Sequence, residues 1–125
     1  MEEGLSCIPT TIAALERFPG FDSPQIRIIL VGVVIEESIG FIFHDLTVDD
    51  STGRISVRFV HNCSSPNDCC RLVGQYVSVA GRLSGTLPRH IVAQSVHPVP
   101  ADAVSYHIIE AARVFLALVP RALLR

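Results

Sequence analysis

Lysine is absent from the sequence, so all ten of its basic side chains are arginines. The formal net charge is −2 at pH 7. Proteins that bind nucleic acid on their own usually carry a basic surplus, because neutralised phosphates supply most of their affinity. The charge therefore predicts that any contact with nucleic acid is weak or belongs to a larger basic surface. GC-rich coding explains the missing lysine better than selection for bidentate phosphate contacts does.

Long apolar runs are also missing, and no stretch reaches the length that spans a bilayer. The N-terminus, Met1-Glu2-Glu3, is acidic, whereas a signal peptide begins with a basic and then an apolar region. We therefore expect an intracellular protein without membrane contact. Of its 125 residues, 49% are hydrophobic and 18% charged, which suits one domain with a packed core and argues against disorder.

The four cysteines do not have the spacing of a typical zinc site. Zinc ligands usually come in pairs only a few residues apart, whereas Cys63 and Cys69 are separated further and Cys69 is adjacent to Cys70. Neighbouring cysteines rarely form a disulfide without strain. A metal site that adds His61 to these cysteines therefore fits poorly. We expect ordinary reduced thiols, as at Cys7, and no metal site.

Recognisable catalytic motifs are absent as well. The pair Asp49-Asp50 lies in a polar turn and has no histidine or second carboxylate tied to it, as general acid–base catalysis would need. There is no nucleophile elbow and no phosphate-binding glycine loop. The histidines are scattered, and we expect them at the surface or at strand edges: His44, His61, His90, His97 and His107. The sequence therefore predicts a protein that is not an enzyme and needs no cofactor.

Five segments have the composition of β-strands. Residues 26–36 are rich in β-branched side chains, and Gly32 in their interior indicates a bulge or sharp bend. Residues 54–60 alternate apolar and polar side chains, which is typical of a half-buried strand. The other predicted strands are residues 41–48, 75–83 and 89–97. Turns are predicted at residues 38–40 and 49–53, and the longest irregular connection at residues 61–72.

Five antiparallel strands, a long bent first strand and a gap between the third and fourth predict a five-stranded Greek-key OB-fold barrel with a C-terminal α-helix. The spacing alone leaves other small barrels open. Thr10 or Thr11 is expected to cap a short helical turn before the barrel. The predicted divisions are an N-terminal lead-in at 1–25, the barrel at 26–98, a C-terminal assembly helix at 101–119 and a tail at 120–125.

The C-terminal helix is predicted to carry two apolar rows, both with heptad-like steps of three and four residues. The first row contains Val104, Ile108, Ala111, Phe115 and Leu118, and the second contains Ile109, Ala112, Leu116 and Val119. A helix on the surface of a monomer needs only one such row. We therefore expect one row to cover the open end of the barrel and the other to contact a partner. The alternative is a single wide row sunk in a groove of the domain itself.

Five stretches of the chain resemble one family, in the same order along the sequence. They are Cys-Ile-Pro-Thr-Thr-Ile-Ala-Ala-Leu at 7–15, Ile-Leu-Val-Gly-Val-Val at 29–34, Asp-Asp-Ser-Thr-Gly-Arg-Ile-Ser-Val-Arg at 49–58, Tyr-Val-Ser-Val-Ala-Gly-Arg-Leu at 76–83 and Tyr-His-Ile-Ile-Glu-Ala at 106–111. Together they resemble the middle subunit of replication protein A. The third stretch is similar to that family's D-D-x-T-G-x-[IL]-x-V-R signature.

The resemblance implies an OB-fold whose C-terminal helix joins a three-helix bundle with larger and smaller OB-fold subunits of a heterotrimer. It also implies binding of single-stranded DNA in replication, repair and recombination, and hence a nuclear location. Any DNA contact is expected to involve Arg54, Arg58, Arg82 and Arg89. The chain departs from the family at Val60 and Thr86, where the family has aromatic rings, so stacking on bases is expected to be weak unless Phe59 substitutes.

Other functions remain open at this point. The chain fits a scaffold OB subunit of another genome-maintenance complex without direct DNA binding, either a telomere-capping trimer or a RecQ-helicase–topoisomerase complex. A free-standing nucleic-acid-binding or enzymatic OB protein is disfavoured by the acidic charge balance and by the second apolar row of the helix.

Overall fold

The apolar periodicity of the sequence forms six β-strands and two α-helices in the computed structural model, which describes residues 6–18, 20–21, 23–84 and 88–118. In chain order these are β1 (Ser6–Pro9), α1 (Ile12–Arg17), β2 (Ile26–Ile39), β3 (Phe43–Asp49), β4 (Arg54–Val60), β5 (Tyr76–Leu83), β6 (His90–Pro98) and α2 (Ala103–Leu118). One turn of 3-10 helix, Pro66–Asp68, lies in the long connection between β4 and β5. Within these described residues, no helix combines the length and hydrophobicity required to cross a membrane.

The barrel closes on β2, the longest strand. Residues 28–33 of β2 pair with β5, and residues 33–39 pair with β3, both antiparallel. The order β2-β3-β4-β6-β5 therefore returns to β2 and makes a closed five-stranded barrel, with β1 added beside β2. The predicted OB-fold barrel with a C-terminal helix is confirmed. The expected all-antiparallel pairing is wrong at one place: β4 and β6 run parallel, because the chain crosses from β4 to β5 before β6 returns beside β4.

Two glycines lie where neighbouring strands come closest. A Cβ atom at Gly32 would lie 2.7 Å from the carbonyl oxygen of Asp49, and one at Gly81 would collide with the backbone of Val92. The register between β2 and β3 shifts just beyond Gly32, between Val34 and Glu36. The bulge expected near Gly32 is thus slightly further along, and β2 continues to Ile39, through the first two of the residues that were expected to turn at 38–40.

One cluster of buried apolar side chains fills the barrel. Ile12 and Leu15 of α1 belong to this cluster, so α1 is packed onto the barrel at the end where the β3–β4 turn lies. The other members are Ile28, Leu30, Val34, Leu46, Val48, Ile55, Val57, Leu72, Val77, Val79, Leu83 and Ile91. Full burial of such a side chain contributes about 1.5–3 kcal/mol.

The start of α1 is capped by side chains from two parts of the chain. The first N–H groups of a helix have no partner within the helix and need acceptors elsewhere. Here Ile12 N–H donates to the Asp50 carboxylate (2.8 Å), Ala13 N–H to Thr52 Oγ1 (3.0 Å) and Ala14 N–H to Thr11 Oγ1 (3.3 Å). The cap by Thr11 confirms the sequence expectation. The polar turn that contains Asp50 therefore holds α1 on the barrel.

The N-terminal segment, which was expected only to precede the barrel, adds a strand to the sheet. β1 pairs parallel with residues 26–29 of β2, and Thr10 N–H continues the pairing by donating to the Ile29 carbonyl oxygen (3.0 Å). The carbonyl oxygen of Thr10 lies 2.8 Å from Nε2 of His107 in α2. His107 is buried, so the expectation of a surface position is wrong for it.

The long β4–β5 connection brings two cysteines together. Cys63 and Cys69 form a disulfide, with their Cα atoms 5.5 Å apart, which contradicts the expectation of reduced thiols at these positions. The 3-10 turn at Pro66–Asp68 folds the loop back, and sequence spacing alone does not reveal that return. Cys7 and Cys70 are free, as expected, and both are exposed.

Replacement of Asp50 by Ala should destabilise the fold by about 1–3 kcal/mol, because the buried N–H group of Ile12 loses its acceptor. The measurement is the free energy of unfolding in urea. Asp49→Asn is the matched control, because Asp49 lies in the same turn but its contacts, to Ser51 N–H and Arg54, are at the surface. Equal losses in the two variants would contradict the capping role of Asp50.

Candidate nucleic-acid interface and partner surface

The outward-facing side chains of β3, β4 and β6 form one continuous surface, which we call the outer face. Strand alternation sends Leu46, Val57 and Ile91 inward and their neighbours outward. The strand register then sets the outward residues in rows across the sheet. The outer face consists of Phe43, Asp45, Thr47, Arg54, Ser56, Arg58, Val60, His90 and Val92.

Arg58 occupies the middle of the outer face and is held from two sides. Its Nε and Nη2 atoms donate to the two carboxylate oxygens of Asp45, at 2.8 and 3.2 Å. Its guanidinium carbon lies 4.4 Å above the centre of the Phe43 ring. The hydrogen bonds to Asp45 raise the pKa of Arg58 above its ordinary value. The arginine is therefore oriented, but its charge is largely neutralised.

The other three candidate DNA-binding arginines lie around this centre. Arg82 of β5 is exposed and pairs with Val92, which itself pairs with Arg58, so the three residues form one row. Arg54 pairs with Asp49, whose pKa is lowered by the N–H group of Ser51 and then by Arg54 itself.

Arg54 and Arg89 lie at the other end of the face, beside α1. Both line a shallow pocket of about 200 Å³ that includes Leu15. Arg89 also donates to the Leu15 carbonyl oxygen at 3.4 Å. The structure thus brings all four arginines to one side of the barrel without forming a single basic patch.

Phe59 is not part of the outer face. Its ring packs against the barrel core and lies 4.8 Å, centre to centre, from the buried ring of His44. His44 was expected at the surface, and that expectation is wrong. Val60 follows Phe59 and points outward, without an aromatic ring, as the sequence predicted. Thr86, the second position without a ring, lies outside the described residues.

Sequence reasoning missed the aromatic residues at the edge of this face. Phe41 and Ile42 form the tip of the β2–β3 loop, and the Phe41 side chain is 85% exposed. Phe43 follows them on β3 and pairs with Val60 of β4. The sequence predicted a strand at residues 41–48, whereas the strand begins only at Phe43, so Phe41 was wrongly assigned to it. Exposed rings of this kind are the usual platform for unpaired bases on OB-folds.

A groove of about 690 Å³ runs across the outer face towards Pro88. Its charged lining residues are Glu36, Glu37, Asp45 and Arg58, with His90 at one side. Three carboxylates against one guanidinium would repel a phosphate backbone more than they attract it. The charges of this groove lining are therefore negative on balance.

The Glu37 carboxylate joins β2 to the β4–β5 connection. Its side chain is only 2% exposed and accepts hydrogen bonds from Val73 N–H (2.7 Å), Leu72 N–H (2.9 Å) and His44 Nε2 (2.7 Å). Burial on its own would raise the pKa of Glu37. The hydrogen bonds from Val73, Leu72 and His44 outweigh that effect, so the pKa lies below its ordinary value. The ionised carboxylate therefore fixes the loop behind the groove.

The two rows of α2 differ in their exposure. Ala111 is 3% exposed, and Val104 is half-buried, so the first row faces the barrel through these residues. Phe115 belongs to the same side, and its ring packs 5.0 Å from the ring of Phe18. Ile108 lies at the margin of this side and is more exposed. The side chain of Leu118 and all of Val119 lie outside the described residues.

The second row of α2 is exposed. Ile109 is 58% exposed and Leu116 is 70% exposed, with Ala112 between them on the same side of the helix. We call Ile109, Ala112 and Leu116 the outer row. The helix is thus not sunk in a groove of its own domain, and the described structure leaves the outer row uncovered.

The structure of this chain is similar to those of several solved proteins. A subunit of a replication protein A heterotrimer bound to single-stranded DNA matches with a TM-score of 0.73 and 26% identity, over 90% of this chain and 97% of that chain. A chain of the S. pombe Stn1–Ten1 complex matches with a TM-score of 0.72 and 22% identity, over 89% and 92% of the two chains. A chain of yeast replication protein A bound to single-stranded DNA gives 0.65 and 24%, over 86% and 88%.

Neither a protein-family profile nor a curated protein sequence matches this chain. The structural similarity confirms the resemblance to the replication-protein-A-like OB-fold family that the sequence motifs indicated. At 22% and 24% identity, the matches to the Stn1–Ten1 chain and to the yeast replication protein A chain carry the fold alone.

The lowered pKa of Glu37 predicts how stability depends on pH. Because the folded-state pKa lies below the ordinary 4.5, the stabilisation by the carboxylate is complete above about pH 4.5 and declines as the pH falls through the folded-state value. Glu37→Gln should lose about 1–3 kcal/mol at neutral pH, because a neutral amide binds the Leu72 and Val73 N–H groups less well.

Urea unfolding of both proteins between pH 7 and pH 3 measures this effect. The variant should lose less stability on acidification than the natural chain. Glu36→Gln is the matched control, since Glu36 is the exposed neighbour on the same strand. Identical pH profiles for Glu37→Gln and the natural chain would exclude the proposed contribution of the carboxylate.

Proposed function

We propose that this chain is a non-catalytic OB-fold subunit of a replication-protein-A-like heterotrimer that binds single-stranded DNA in replication, repair and recombination in the nucleus. The observation that carries the proposal is the exposed outer row of α2 on a barrel similar over most of its length to a replication protein A subunit. The chain assembles with larger and smaller OB-fold subunits through this row and contacts DNA weakly through the outer face.

Assembly through α2 follows from the way the helix is held. His107 and Phe115 tie its inner side to Thr10 and Phe18 of the same chain, which leaves the outer row pointing away from the barrel. Exposed apolar rows of this type are stabilised by packing against other helices. The small Ala112 in the row would let a neighbouring helix approach closely.

Weak DNA contact follows from the charges and rings of the outer face. The rings of Phe41 and Phe43 offer stacking surfaces at one edge, and Arg58 and Arg82 offer positive charge beside them. Asp45 competes with phosphate for Arg58, and the groove is acidic overall. The lone chain therefore contributes orientation and a few contacts, whereas the whole assembly supplies most of the affinity.

The second candidate function is a scaffold subunit that does not bind DNA, as in a telomere-capping trimer or a RecQ-helicase–topoisomerase complex. The pairing of Arg58 with Asp45 across the outer face favours it. The same α2 surface would serve assembly in both cases. The identity of the proteins that co-purify with the chain separates the two candidates.

Removal of the Asp45 charge should strengthen DNA binding. In Asp45→Asn, Arg58 is free to bind phosphate, and the carboxylate that repels phosphate is gone. The interaction of two unit charges 4 Å apart in water is about 1 kcal/mol, so the loss of this repulsion should raise the affinity about fivefold. Arg58→Ala should weaken binding and lower the log–log salt slope by about 0.7. Fluorescence anisotropy with a labelled oligothymidine at several salt concentrations measures both.

Phe41→Ala should also weaken binding, by about 1–3 kcal/mol if the ring stacks on a base. Tyr106→Ala is the control, because Tyr106 is an equally accessible ring on α2, away from the outer face. If all variants, including Asp45→Asn, bind as poorly as the natural chain, the outer face is not a DNA surface and the scaffold function stands.

A charge in the outer row should abolish assembly. Leu116→Glu would bury an unpaired carboxylate between helices, which is strongly unfavourable. Ala117→Glu is the matched control: it places the same side chain at the next position, exposed but outside the outer row. Co-purification of each tagged variant from cells measures assembly, after circular dichroism confirms folding.

Leu116→Glu should recover none of the larger OB-fold partner, whereas Ala117→Glu should recover the normal amount. Phe115 is the less suitable test residue, because its contact with Phe18 also stabilises the domain itself. Normal recovery with Leu116→Glu would place the assembly surface elsewhere.

A further inference from the structure

Three metal-ligating side chains converge at the start of the β4–β5 connection. The ligand atoms of His61, Cys63 and Cys69 all lie within 4.8 Å of one another, and all three residues are half-buried. In a tetrahedral zinc site with ordinary bond lengths, neighbouring nitrogen and sulfur ligands lie roughly 3.5–3.8 Å apart. The two sulfur atoms are joined as a disulfide, so the three atoms can take up the spacing of a zinc site only after reduction.

The His61 ring is already oriented for such a role. Its Nε2 atom lies 2.6 Å from the carbonyl oxygen of Gly40, which can only accept, so Nε2 carries the proton. Nδ1 is then unprotonated and accepts a hydrogen bond from the N–H group of Cys63 at 3.3 Å, which a bound zinc ion would replace. A backbone carbonyl that binds the second ring nitrogen is the usual support of a metal-bound histidine, because it fixes the tautomer and the ring plane.

We propose that the reduced chain binds one zinc ion through His61 Nδ1 and the thiolates of Cys63 and Cys69, with water in the fourth position. The oxidised chain has the Cys63–Cys69 disulfide instead, so redox state decides between the two forms. Two cysteines and one histidine are an established zinc ligand set, and thiolates select zinc over the hard cations. The sequence spacing argued against this site, but the 3-10 turn brings Cys69 back beside Cys63.

Conversion of the disulfide form into the zinc-bound form requires a reductant, and a small-molecule thiol can serve as one. Two thiol molecules reduce the Cys63–Cys69 disulfide to two thiols and are themselves oxidised to one disulfide. Zinc then replaces the two thiol protons, which pass to solvent, and His61 binds as the neutral ring. The site would not depend on DNA binding or on assembly through α2.

The site would act on the outer face through the β2–β3 loop. His61 holds this loop by its ring at Gly40 and by its backbone N–H, which donates to the Ile42 carbonyl oxygen at 3.1 Å. Phe41 lies between these two contacts in the chain. A change at the Cys63–Cys69 pair can therefore reach the exposed Phe41 ring at the edge of the outer face.

Cobalt titration of the full chain tests the proposal. The chain is reduced with dithiothreitol, desalted without oxygen and titrated with Co²⁺, whose thiolate charge-transfer absorption reports sulfur ligation. We expect a band that saturates at about one equivalent and disappears when Zn²⁺ is added. Zinc content after dialysis should be about one per reduced chain and close to none for the oxidised chain.

Variants identify the ligands. Cys63→Ser, Cys69→Ser and His61→Ala should each lose at least tenfold in Co²⁺ affinity, because each removes one ligand. Cys7→Ser and Cys70→Ser are the matched controls, since both thiols are exposed and outside the group. Circular dichroism confirms that each variant is folded.

Three results would overturn the proposal. They are the absence of a charge-transfer band in the reduced natural chain, a band that survives in the double variant of Cys63 and Cys69, and a loss in Cys70→Ser as large as that in Cys69→Ser. The first would make the pair a simple disulfide, and the other two would assign the metal to different ligands.

Discussion

The double pairing of β2 is the constraint on which the rest of the molecule depends. One edge of this strand meets β1 at its start and β3 at its end, while the other edge meets β5. Where β2 passes from β5 to β3, its backbone lies so close to Asp49 at Gly32 that no side chain fits, and the register with β3 shifts just beyond, between Val34 and Glu36. The closure of the barrel and the position of β3 in the outer face depend on this double pairing.

Local patterns in the sequence predicted much of this fold, and long-range pairings account for what was missed. β-branched and alternating runs located the five barrel strands, and Thr11 located α1. The parallel β4–β6 pair, β1 and the Cys63–Cys69 disulfide each depend on where distant segments meet, so no local pattern reveals them. His44 is different: it alternates with Leu46 and Val48 on the inward side of β3, and that alternation was readable from the sequence.

The candidate site was predicted in part for the same reason. The arginines of the outer face lie on regular strands, so their positions follow from strand alternation. The sequence did not reveal that a carboxylate is paired with the central arginine, because Asp45 lies beside Arg58 only when β3 and β4 pair. Phe41 was missed because the exact start of a strand is set by the turn before it. Each arginine that β4 presents on this side of the barrel is therefore paired with a carboxylate of β3.

The hydrogen bonds that hold the N-terminal segment have a consequence for the order in which the chain can fold. Ile12 donates to a side chain 38 positions further on, and the Thr10 carbonyl meets His107, 97 positions further on. Contacts of such high sequence separation form late, since the intervening chain must first close into loops. During synthesis β1 can pair with β2 early, but Ile12 and Thr10 meet these partners only after the β3–β4 turn and then α2 have been made. The segment at residues 6–18 is thus secured in full only when α2, the last described element, is in place.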